Sequence, residues 1–300
     1  MANPARPSPL PWLAAAVALS LGLAIFLATV LLRHGLAALD ERARAMAYAA
    51  ALGSLTFRAG MAFLVAQWHG ERHGRLAFRR PALVLALFAL FLLGWQVLQI
   101  ELIDEVLRLV AAASLTRLAL VALPFAYPLL HAVSTWLAWV LATWIMRGDA
   151  LPRPPANVRW RAAGLMTWLL ASALLICMPM GMSMAQAYAS MDGTTAAAGY
   201  LGAIAVPLAL AFVGAWLGAP RFLARIHGWR LLGAGIAAPV SCAALLFYGF
   251  GTAADAVPLL RMEPSLAATL LAAAGAALCL LAYWLWTLLC YAGLRRTADR

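Results

Sequence analysis

One arginine, Arg58, stands near the middle of an apolar run, in the stretch LGSLTFRAGMAF. At the centre of a bilayer an arginine costs about 2.5–3.5 kcal/mol on insertion scales, and ionisable groups held at such depth concentrate at working sites. No Asp or Glu lies at matching depth in any other apolar run, while Ser54 and Thr56 precede Arg58 within local reach. A guanidinium in that setting is a planar donor for an oxygen-rich group such as a lipid phosphate, a carboxylate or a quinone oxygen. The competing reading is a side chain that snorkels to water or caps freed backbone carbonyls. Gln96 and Gln99, at the outer end of the third apolar run, are further candidates for substrate contact or for bonding across helices.

The second chemistry-bearing feature is CMPMGMSM at 177–184. Soft sulfur ligands favour Cu(I). Met178 and Met182 are spaced i, i+4, as are Met180 and Met184, so each pair shares one helix face. Cys177 adjoins them, Pro179 and Gly181 loosen the helix, and His131 in the fourth apolar run could complete a sulfur–nitrogen site. The spacing resembles the MxxxM elements of some bacterial copper permeases, a resemblance confined to this segment. Methionine also fills irregular contacts beside a proline, so packing competes with Cu(I) handling here. His131 alone reads as a hydrogen-bonded bundle histidine before it reads as a ligand. His69, His73 and His227 lie among arginines, where positive charge disfavours protons and metals alike.

Familiar constellations are missing from the sequence. There is no paired intramembrane carboxylate for acid–base work, no nucleophile motif, no HExxH and no P-loop. The four cysteines form no CxxC and fall within apolar runs. An enzyme acting on a lipid or quinone is therefore the least supported class.

These residues must be positioned by membrane helices. The chain is 65% hydrophobic and 11% charged over 300 residues, less than half the charge of an ordinary soluble domain. Apolar runs fall at about 10–32, 46–68, 82–100, 126–146, 162–185, 197–219, 231–251 and 266–292. Each is near the roughly 20 residues that cross a bilayer as a helix. The first run exceeds the roughly 7–15 residues of a signal h-region and reads as a retained helix. The expectation is an all-α, polytopic bundle of about eight spans.

Charge placement orients it. The net charge is +11, and all 22 basic residues are arginine. With both ends in the cytoplasm, 15 arginines fall on the cytoplasmic side and 6 outside, with Arg58 within; acidic residues divide 3 against 8. This is the positive-inside pattern of a bacterial inner-membrane protein whose arginine loops meet anionic headgroups. No loop is long enough for a nucleic-acid module.

ELIDEVLRLVAAASL in 101–125 places Glu101, Asp104, Glu105 and Arg108 on one stripe. That predicts an amphipathic helix on the outer surface near 101–117, with an Asp104–Arg108 pair, ending by Pro124. The basic, proline-containing segment 148–161 divides the chain into halves at 1–147 and 162–300. FLVAQWHG against FLARIHG, and TWLAWVLATWIMRG against AYWLWTLLCYAGLRR, suggest a parallel 4+4 duplication, with chance matching as the alternative. The functional expectation is a permease or a solute- or metal-handling membrane protein. A non-catalytic accessory or lipid-interacting subunit is the alternative.

Overall fold

The computed structural model describes the backbone of residues 8–33, 41–112, 116–151, 157–188, 193–221, 223, 225–260 and 264–298; in parts of the helices, among them 116–127, 175–188 and 193–203, side chains are excluded. The described chain is all-helical apart from one short ribbon. Its helices are α1 (Leu10–Arg33), α2 (Glu41–His73), α3 (Pro81–Ala112), α4 (Thr116–Ile145), α5 (Arg159–Tyr188), α6 (Gly193–Gly218), α7 (Gly228–Leu260) and α8 (Pro264–Ala298). Each expected apolar run falls in its own helix to within a residue. A bilayer offers no water to backbone groups, so an apolar segment satisfies them internally as a helix. Pro81 and Pro264 open α3 and α8, where a missing N–H leaves no bond unmade.

Five helices are long and apolar enough to cross a membrane, through Leu10–Ala28, Pro81–Gln99, Pro128–Ile145, Gly228–Gly249 and Thr269–Ala292, and Ile204–Gly218 is a shorter apolar stretch. Leucines and valines on their outer faces remain open, Leu90 at 62% and Val240 at 62% exposure among them. Bulky apolar groups left outward in this way suit lipid as solvent. Trp12, Trp144, Trp160 and Trp229 are also exposed. They lie at the first turns of α1, α5 and α7 and the last turn of α4, near the arginine-bearing segments, where a headgroup-level aromatic belt belongs.

One expectation is corrected. Residues 101–112 are not a separate surface helix; they continue α3 without a break, and α4 runs from Thr116 through Pro124 and Pro128. Glu101–Ala112 contains neither Gly nor Pro, so nothing interrupts the i to i+4 bonding that α3 has begun. Amphipathic patterning marked the end of a long helix rather than a new element. The Asp104 side chain lies outside the described residues, and Arg108 stands 3.4 Å from Glu105.

By contacts the chain forms two compact units, Met1–Pro155 with Leu175–Pro179, and Ala156–Leu174 with Met180–Arg300. In the first, α1 packs on α2 and α3, and α4 packs on α2 and α3, closing a four-helix ring. Its core is a seam with a four-residue period. Leu10, Ala14 and Ala18 come from α1, Ala62 and Ala66 from α2, Val84, Phe88 and Leu92 from α3, and Ala138, Trp139 and Ala142 from α4. Small residues let the backbones approach, and the Phe88 and Trp139 rings fill the space edge to face, with centroids 5.2 Å apart.

One end of this unit is tied together. Ser8 Oγ caps α1 through the Leu10 N–H and donates to the Leu76 carbonyl. β1 (Ala77–Phe78) pairs antiparallel with β2 (Ala150–Leu151), the Arg79 N–H donates to Asp149 O at 2.9 Å, and Arg80 lies 3.8 Å from the Asp149 carboxylate. The start of α1, the α2–α3 turn and the end of α4 thus share one end.

In the second unit α8 packs on α6 and α7. Gly214 and Gly218 bring α6 against the backbone of α8: a Cβ on either would stand 2.5 Å from the Leu280 or Trp284 carbonyl. Asn157 caps α5 through the Arg159 N–H at 3.0 Å and donates to the Arg221 carbonyl at 2.8 Å. Val158 N–H reaches Leu223 O at 2.7 Å. Arg159 donates to Trp216 O through Nε at 2.8 Å, its guanidinium lying 4.2 Å from the Trp216 ring. Tyr291 Oη, near the end of α8, donates to Ile226 O at 2.6 Å.

Candidate oxyanion site in the first four-helix unit

Arg58 faces α4 from α2, and its Nη2 lies 3.1 Å from His131 Nε2. A guanidinium has donors and no acceptor, so Nε2 must accept. His131 therefore carries its proton on Nδ1 and is neutral in this arrangement. On the α1 side the room comes from Gly22, where a Cβ would meet Leu55 Cδ2 at 2.8 Å and the Arg58 side chain at 3.6 Å. Ala14, Ala18 and Gly22 run along one buried stripe of α1. That stripe narrows to a bare backbone where the guanidinium sits.

The surroundings are polar but not acidic. Ser134 Oγ and Thr135 Oγ1 donate to the His131 carbonyl at 3.0 and 2.7 Å. Gln99 Nε2 donates across from α3 to the neighbouring Leu130 carbonyl at 3.3 Å. Those side-chain donors anchor the α4 backbone where it presents the imidazole, with Pro128 one turn earlier in the same helix. Gln96 and Gln99 are both buried, and their Oε1 atoms are without partners, as is Arg58 Nε. Among the described residues no carboxylate pairs with Arg58: the ion pairs are Arg80–Asp149 and Arg108–Glu105.

A neutral imidazole satisfies one N–H of Arg58 and none of its charge. What remains is a partly buried cation with an unused donor, which is the complement of an oxyanion. Of the sequence candidates, Arg58 and His131 are in contact, and Gln99 bonds the backbone beside His131. Gln96 is buried on the same helix as Gln99, and Ser54 is half-buried on α2 one turn before Arg58. The side chains of Cys177, Met178, Met180, Met182 and Met184 lie outside the described residues, and so does the Cu(I) site they were expected to form with His131. Among the described residues no three His, Cys, Asp or Glu side chains gather as metal ligands.

Sequence reasoning placed His131 with the methionines and did not pair it with Arg58. A signal was available: two ionisable residues within the apolar runs of one chain, with no Asp or Glu at matching depth in the sequence, are candidates for each other. The role of Gly22 was legible only as a small residue four after Ala18. The remaining histidines stand apart from this site. Beyond the apolar run of α2, burial holds His69 down to about 4, helped by repulsion from His73, Arg75 and Arg72. Burial, then Arg230 and Arg225, also lowers His227. No protein-family model, curated protein or solved structure matches the chain.

Proposed function

We propose that the chain is a multi-pass permease-type protein of the bacterial inner membrane that binds an oxyanion at Arg58, either a carboxylate or a phosphate-class group. The observation that carries this reading is the Arg58 guanidinium. It is held between α1, α2 and α4, with a neutral imidazole as partner, a buried Nε donor left over and no pairing carboxylate among the described residues. Holding such a cation in a bilayer costs about 2.5–3.5 kcal/mol, which a merely structural residue could avoid. The arginine-bearing turns gathered at one end of each unit support cytoplasmic placement of those ends, with both termini on that side.

A parallel duplication is part of the same proposal, and three features support it. In each unit the side chain that caps the first helix also donates to a carbonyl in the turn between the second and third, Ser8 to Leu76 and Asn157 to Arg221. In each unit the fourth helix packs on the second and third. LAWVLAT at 137–143 and LAYWLWT at 281–287 align without a gap. They share three buried positions, Ala138, Trp139 and Thr143 in one and Ala282, Tyr283 and Thr287 in the other.

The test is a thermal-shift screen of the purified protein against short carboxylates, phosphate esters and quinones. It is followed by uptake in proteoliposomes for whichever compound stabilises. The expected result is stabilisation and uptake by one oxyanion class, both lost in Arg58→Gln. Stabilisation without uptake would favour a lipid-interacting accessory subunit, and ligand effects unchanged in Arg58→Gln would remove the site.

A further inference from the structure

We propose that oxyanion binding at Arg58 takes up a proton on His131, so that anion and proton load the site together. This rests on the Arg58 site being an oxyanion site. The geometry makes the imidazole's protonation and its bond to Arg58 mutually exclusive. Nε2 accepts from Arg58 Nη2 at 3.1 Å, and once protonated it has no lone pair to offer. Two cations would then stand in direct contact within an apolar bundle, where their repulsion is poorly screened.

An oxyanion entering between them reverses both effects. One oxygen receives the Arg58 N–H groups, including the unpartnered Nε, and a second receives the new Nε2–H of His131. The balance is simple: the empty site carries Arg58 as a cation and His131 neutral, and the loaded site adds one anion and one proton. Its net charge is unchanged when a monoanion binds. No bond to carbon or phosphorus forms or breaks.

The groups described around His131 are compatible with this response. Arg58 is the charged group that meets it from α2. α3 contributes the neutral amides of Gln96 and Gln99, α1 contributes Gly22 behind Arg58, and α4 itself contributes the hydroxyls of Ser134 and Thr135 on the His131 carbonyl. None of these described groups is a carboxylate, and in this proposal the proton enters from solvent along with the anion, as in a proton-coupled symporter.

The experiment uses the whole protein in phosphatidylcholine nanodiscs. Acetate and dimethyl phosphate are titrated by calorimetry between pH 6 and 8, where neither probe changes protonation. Two buffers of different ionisation heat give the proton count. The expected result is uptake of up to one proton per anion, with affinity falling up to about tenfold per pH unit as pH rises. His131→Gln keeps a neutral acceptor for Arg58 and is expected to bind the anion with no proton uptake and no pH slope.

If the group bound is a lipid headgroup, neither free probe binds. Phosphatidylglycerol nanodiscs then stabilise the wild type more as pH falls, and the slope is lost in His131→Gln. Anion binding without proton uptake, or uptake that persists in His131→Gln, overturns the coupling and leaves the oxyanion site standing. No response to either probe or to phosphatidylglycerol overturns both.

Discussion

Gly218 offers the sharpest quantitative check on the packing of the second unit. A Cβ there would lie 2.5 Å from the Trp284 carbonyl oxygen, 2.9 Å from Thr287 Cβ and 3.1 Å from Leu288 N. Carbon–oxygen contacts between packed helices settle near 3.3–3.6 Å, so Gly218→Ala requires α8 to retreat by about 0.8 Å. A gap of that size forfeits roughly a quarter to a half of each affected dispersion contact. Overpacking of this kind typically costs about 1–3 kcal/mol, set against a gain of up to about 1 kcal/mol from alanine's helix propensity.

The net expectation is a loss of about 1–2 kcal/mol. Gly233, exposed on α7 with nothing within 4 Å of its Cβ position, is the matched control, and Gly233→Ala is expected to be neutral or stabilising. Unfolding by increasing SDS fraction in mixed micelles, followed by tryptophan fluorescence, measures both. A Gly218→Ala variant as stable as Gly233→Ala would mean that α6 and α8 do not meet through this pair of glycines.

Two further outcomes follow from the same kind of reasoning. Asn157→Ala removes the cap on the Arg159 N–H and the bond to the Arg221 carbonyl; a loss of about 1–2 kcal/mol in the same unfolding assay is expected, and Asn157→Ser, which retains a capping oxygen, is expected to recover part of it. His69 is held down to about 4 by burial and then by His73, Arg75 and Arg72, below its unfolded value of about 6.5. The unfolded chain therefore binds the proton first as pH falls, so this contribution is complete above about pH 6.5 and is lost towards pH 4. His69→Gln is expected to flatten the stability profile between those limits, and an unchanged profile would show that His69 does not contribute to it.

The helical class and the position of each helix were legible because lipid burial leaves a coarse signal: long apolar runs and segregated arginines. Helix ends were less legible. Glu101–Ala112 looked like a surface helix because its stripe of charge reports solvent, and solvent contact is shared by a separate helix and by the projecting end of a long one. Pro124 looked like a stop, yet α4 continues through it. FLVAQWHG lies inside α2, whereas FLARIHG follows α6 in sequence and ends at the first residue of α7. Better markers of likeness were the capping side chains Ser8 and Asn157, whose second bonds reach across about sixty residues or more and leave no local pattern. The Arg58–His131 contact was hidden for the same reason: depth in the bilayer can be counted from sequence, but which helices adjoin cannot.

Register between the fourth helices gives the candidate site its context. Extending the ungapped match of 137–143 with 281–287 towards the helix starts sets Thr135 opposite Cys279 and His131 opposite Gly275. Cys279 is buried, with its thiol donating to the Pro207 carbonyl at 3.8 Å, and Gly275 has no side chain at all. α8, which carries the same Ala–aromatic–Thr seam, has no imidazole at this register. If the units are copies, keeping His131 and Arg58 in the first alone carries an insertion cost that packing leaves uncompensated. Binding a ligand could offset that cost. The second unit, with a thiol and a glycine at the corresponding positions, is then the internal control: a His131→Gly variant that folds, keeps its α4 contacts and loses proton uptake would separate what the helix needs from what the site needs.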